Sequence, residues 1–117
     1  MKLYSIRNVL MEKGGIYIIL IVEEIDTTNQ AIEVVENLGD MLGEIKSVEH
    51  RHTLKSPNYE TKLIGTDGEI LIKGGFSSGY PGEGPRGLKK VLINLGFPPA
   101  QVEQKVYGSQ KKFVLKK

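Results

Sequence analysis

The stretch from Gly74 to Gly87, GGFSSGYPGEGPRG, puts six of the protein's 14 glycines between a segment that reads as a strand and one that reads as a helix. Glycine gives up more backbone freedom on folding than any other residue. Such a density therefore implies main chain that takes positive φ or is approached too closely for a Cβ. The run also ends at a helix start, where unpaired N–H groups and the helix dipole favour an anion. It is the first candidate for a working surface.

Around that run, 117 residues with 39% hydrophobic content suffice for one core, so a single α+β domain spanning residues 1–117 is expected. The chain has no cysteine, which excludes disulfides, thiolate metal sites and a cysteine nucleophile, and makes a reducing compartment the natural setting. The first 15 residues lack the apolar core and small-residue cleavage site of a secretory signal. The longest apolar run, Ile16 to Val22, is far below the ~20 residues needed to cross a bilayer. The expectation is a soluble cytoplasmic protein with no membrane partner.

Net charge is only +2, but it is unevenly placed. From Arg86 to Lys117 there are eight Lys or Arg against one acid, Glu103, a local net of +7, while residues 1–85 carry −5. A basic final third suits an anionic ligand, a nucleic acid, or pairing with the acidic body, and lysines also simply solvate exposed faces.

Hydrophobic periodicity lays out the elements. Lys2 to Ile6 suits a first strand, turned by Gly14-Gly15. Ile16 to Val22, β-branched and apolar throughout, suits a central strand covered on both sides. Asp26-Thr27-Thr28 offers an N-cap for a helix to about Leu42, with Ala31, Val34, Val35, Leu38, Met41 and Leu42 on its apolar face and Gly43 as its stop. Ile45 to Leu54 reads as a strand, and Tyr59 to Lys73 as a hairpin turning at Asp67-Gly68. Pro85 is expected at the first position of a helix buried through Leu88, Val91, Leu92 and Leu95 and ended by Gly96-Phe97-Pro98. A short helix from Pro99 and a last strand from Lys112 to Leu115 follow. These elements predict an α+β fold: a mostly antiparallel sheet of four to six strands, with two or three helices packed mainly on one face.

Strand, glycine-rich turn and helix is a common phosphate-binding arrangement, yet the known spellings do not match. No GK[ST] follows the glycines, and a GxGxxG over Gly82 to Gly87 is spoiled by Pro85 and Glu83, with no parallel βαβ unit expected around it. The residues present still form a donor-rich set. Gly82, Glu83 and Gly84 offer backbone N–H groups, Ser77, Ser78 and Tyr80 offer hydroxyls, and Arg86 offers a cation. Tyr80 suits stacking on a ring, and Glu83 suits a ribose or an amine. Together with Gly79 these residues predict a binding module for a phosphorylated or nucleotide-like ligand at residues 74–88. An alternative is a protein-interaction module, accessory or inhibitory, that uses the same loop as its contact surface.

A third reading is nucleic-acid binding through the basic third, where Phe113 lies among Lys111, Lys112, Lys116 and Lys117. His50 and His52 share a face of their strand and, with Glu49 or Glu60, invite comparison with a metal or acid–base pair. Three or four ligands are not spelled out, and a solvated pair is the simpler expectation. No nucleophile setting surrounds Ser77 or Ser78, so no catalytic residue, metal or cofactor is assigned.

Overall fold

Thr27 begins the first helix as anticipated. Its hydroxyl accepts from the Gln30 N–H at 3.1 Å, and the Gln30 side chain accepts in return from the Thr27 N–H, closing a capping box. A computed structural model describes residues 5–12 and 16–117 of the chain. In order, the elements are β1 (Ser5–Glu12), β2 (Ile16–Glu23), α1 (Thr28–Leu38) continued by a 3-10 turn (Gly39–Leu42), β3 (Ile45–His52), β4 (Tyr59–Gly65), β5 (Gly68–Lys73), α2 (Glu83–Asn94), α3 (Pro99–Tyr107) and β6 (Lys112–Lys116). The expected Gly14-Gly15 turn and the first residues of the expected opening strand lie outside the described residues.

The six strands form one sheet in the order β1-β2-β5-β4-β3-β6. Every neighbouring pair is antiparallel except β2 and β5, which run parallel. This is the mostly antiparallel α+β architecture predicted from periodicity. The β4–β5 hairpin turns through Thr66-Asp67, and Asp67 N–H donates to the Leu42 carbonyl at 2.8 Å, which ties the turn to the end of the 3-10 segment.

Alternation along the strands separates two faces. On one face the residues in register make two rows across five strands: Leu20, Ile70, Leu63, Val48 and Leu115, then Val22, Ile72, Thr61, His50 and Phe113. All ten are buried, and the helices cover them with Ala31, Val34, Val35, Leu88, Val91, Leu92, Val102 and Val106. On the other face Ile19, Ile21, Ile64 and Leu71 remain half-buried among charged neighbours. The expectation that β2 is covered equally on both sides is thus corrected, because among the described residues its Leu20 and Val22 side is packed beneath the helices and its Ile19 and Ile21 side is half-buried. Cross-strand pairs cover the open face: Arg51 with Glu60 at 2.6 Å, Lys62 with Glu69 at 3.5 Å, and Lys73 with Glu23 at 3.7 Å.

The helix stop at Gly96-Phe97-Pro98 forms as written in the chain. Gly96 takes φ 98°, Phe97 N–H reaches back to the Leu92 carbonyl at 3.1 Å, and the Phe97 ring is buried. The start of α2 differs from expectation. Gly82 is the N-cap and Glu83 the first helical residue, so Pro85 sits third. Any first-turn position tolerates proline, since its N–H has no intrahelical acceptor there.

Candidate functional site

β2 and β5 run side by side in the same direction, and each feeds a helix, α1 and α2 respectively. Their carboxyl ends, the end of β3 and the starts of β4 and β6 therefore lie at one rim of the sheet. In open α/β sheets the crevice beyond parallel carboxyl ends is where ligands are commonly held, and β2 and β5 supply one such parallel pair. The glycine loop from Gly74 to Gly82 occupies this rim.

The loop is fastened at its start and in its middle. Gly74 N–H donates to the Tyr59 carbonyl at 3.0 Å, the Thr28 hydroxyl donates to the Gly75 carbonyl at 2.8 Å, and Gly79 N–H donates to the Val106 carbonyl at 2.8 Å. Two requirements account for its glycines. Gly74, Gly75 and Gly79 take positive φ, while Gly82, Gly84 and Gly87 are pressed by neighbours. A Cβ on Gly84 would lie 1.9 Å from Ser77 Oγ, and one on Gly82 would lie 2.7 Å from the Tyr80 ring. Here the close approach comes from the protein's own side chains.

His50 holds the centre of the loop. Its Nε2 lies 3.1 Å from Ser78 Oγ and its Nδ1 lies 2.8 Å from Thr61 Oγ1, so one ring nitrogen donates and the other accepts. The ring is 1% exposed, with Tyr59 stacked on it at 5.5 Å and Phe113 tilted against it at 5.3 Å. Burial, and secondarily the charge of His52, push its pKa down to about 4, so it is neutral near pH 7. The expectation of a solvated histidine pair is corrected. The two do share a face, but His50 is a satisfied core residue, and only His52 is exposed, stacked on Tyr59 at 4.8 Å. Glu49 and Glu60 belong to the opposite face, and no group of three metal-ligating side chains occurs among the described residues.

The residues proposed from sequence are brought together but unequally available. Ser77 and Ser78 are buried, and their hydroxyls are engaged, Ser77 with the Tyr80 phenol at 2.7 Å and Ser78 with His50. Tyr80 lies over Gly82 with 46% of its surface exposed. Tyr59 donates its phenol to the Ser78 carbonyl at 3.2 Å, and burial followed by the proximity of Tyr80 raises its pKa above the ordinary value. Gly79 spends its N–H within the protein, and Arg86 N–H caps back to Gly82 at 3.1 Å. What remains unpartnered is a pair of backbone N–H groups in the first turn of α2, where Glu83 is exposed and Gly84 is buried against Ser77. No oxygen among the described residues accepts from Glu83 or Gly84 N–H, and the exposed Glu83 and Arg86 side chains flank them.

His50, Thr61 and Tyr59 were not assigned to this site from sequence. The available signal was parity, because His50 falls in line with Val48 on the packed side of β3. Phe113, offered by sequence as a base-stacking ring, is 4% exposed and belongs to the core. No protein-family model, curated protein or solved structure matches the chain.

Proposed function

We propose that the protein binds a small phosphorylated, nucleotide-like ligand at the rim formed by the glycine loop and the start of α2. The observation carrying this reading is the pair of unpartnered N–H groups on Glu83, which is exposed, and Gly84, which is buried, set at the positive end of α2 beside a loop whose shape is already held by His50, Thr28 and Val106. A cradle ordered before binding avoids the entropy of arranging its donors afterwards. Arg86 supplies a cation for the phosphate, and the exposed face of Tyr80 supplies a surface for a base. The engaged hydroxyls of Ser77 and Ser78 act in this account by shaping the loop.

Amide chemical shifts recorded while ADP, AMP or inorganic phosphate is added test the proposal. Movement of Glu83, Gly84 and Arg86 amides, accompanied by the Tyr80 ring for the nucleotides alone, is the expected pattern. Unmoved Glu83 and Gly84 amides at millimolar ADP would refute it, and would leave the loop as the contact surface for a protein, a role the exposed Tyr80 also suits.

A further inference from the structure

β6 closes the sheet at the edge opposite β1 and is hydrogen-bonded to β3 alone. His52 N–H donates to the Lys111 carbonyl at 2.8 Å and Lys117 N–H to the Lys46 carbonyl at 3.0 Å, which sets the phase of the ladder. With an antiparallel period of two, Phe113 and Leu115 turn their backbone groups toward β3, whereas Lys112, Val114 and Lys116 turn theirs away. The N–H and C=O groups of those three residues have no hydrogen-bond partner among the described residues. Their side chains stand exposed beside the open face, Val114 with 41% of its surface uncovered. Lys111, Lys112 and Lys116 take part in no ion pair among the described residues, and no acidic residue lies from Gly108 to Lys117.

Lysines on a sheet edge discourage pairing with like strands. A second copy of β6 laid antiparallel about Val114 would set Lys112 against Lys116 at both ends, an arrangement that like charges disfavour. The same charges attract an acidic strand. We propose that the outer edge of β6 receives an extended acidic segment of a partner protein by strand addition, with acids facing Lys112 and Lys116 and an apolar residue facing Val114. The recognised pattern is acid–x–apolar–x–acid, because side chains two apart share a face. A nucleic acid fits less well, since Phe113 is buried and unavailable for stacking and phosphates leave the edge carbonyls unpaired.

The test is fluorescence anisotropy of a labelled peptide, TETVTET, with the full chain. Saturable binding is expected, with amide shifts confined to Lys112, Val114 and Lys116, and the peptide TKTVTKT should not bind. The double variant Lys112→Glu, Lys116→Glu should weaken TETVTET by about fivefold and acquire affinity for TKTVTKT. A TETVTET peptide N-methylated at its pairing amides separates ladder formation from charge alone while leaving the protein unaltered, and it should lose binding. Equal binding of the methylated peptide, or tighter binding of a single-stranded oligonucleotide of equal charge, would overturn the proposal.

Discussion

The Nε2 of His50 lies 3.1 Å from the Oγ of Ser78, so a ring buried within the sheet's packed face fixes the centre of the glycine loop. Thr61 holds the other nitrogen at 2.8 Å, and the chain Thr61, His50, Ser78 links β4, β3 and the loop. An apolar replacement for His50 would leave two buried hydroxyls short of a partner.

The protonation of His50 makes stability depend on pH. Its folded pKa of about 4 lies below the 6.5 that is ordinary for histidine, so between these values the unfolded chain binds more protons than the folded one. The contribution is fully present above pH 6.5 and is lost as pH falls toward 4, amounting to on the order of 3 kcal/mol. Urea unfolding at pH 7 and pH 4.5 checks this. His50→Gln should be less stable than the parent at pH 7 yet lose less on acidification, and an equal loss in both proteins would contradict the assignment to His50.

Gly87 brings α2 against α1, and a Cβ there would lie 2.3 Å from Thr28 Cγ2, with the next contact, Ile32, at 3.5 Å. Gly87→Ala alone should therefore destabilise the protein, despite the ~1 kcal/mol that alanine gains over glycine inside a helix. Thr28→Ser removes the offending methyl and keeps the hydroxyl that donates to Gly75. In that background Gly87→Ala should become neutral or stabilising, so a thermal-denaturation double-mutant cycle should show a reversal of sign.

Local chemistry made most elements legible. The Thr27 capping box and the Gly96-Phe97-Pro98 stop each act within a few residues and formed where the chain spells them, and the hairpin turn formed one residue earlier than its Asp67-Gly68 pair suggested, through Thr66-Asp67. The apolar period in Ala31, Val34 and Val35 likewise marked the packed face of α1. Non-local pairing was not legible. The parallel alignment of β2 with β5 joins segments separated by α1, β3 and β4, and no spacing in the sequence encodes it. The burial of His50 depends on a loop 28 residues away, and Gly79 finds its acceptor on α3. The glycine density was readable as a special backbone, but not the fact that Ser77, Tyr80 and Thr28 are what press upon it.

Tyr80 is held to Ser77 by a 2.7 Å hydrogen bond, and its ring lies against Gly82. Tyr80→Phe should cost about 1 kcal/mol and speed hydrogen exchange at Gly82. Exchange at Gly79, tied independently to Val106, should stay near the parent rate. Faster exchange at both amides would mean that the loop opens as one unit.

Glu83 separates the stability of α2 from its capacity to hold an anion. As the first residue of the helix, its carboxylate favours the positive end of the dipole, and Glu83→Gln should lower stability by roughly 0.5 kcal/mol. The same negative charge stands beside the unpartnered N–H groups of exposed Glu83 and buried Gly84 and repels a phosphate placed there. Removing it should tighten ADP by about two- to fivefold at low ionic strength, with the gain shrinking as salt is raised. Calorimetric titration of parent and variant at two salt concentrations, set beside their unfolding curves, checks both signs at once. A variant that is less stable but has unchanged ADP affinity at low salt would place the anion elsewhere than the first turn of α2.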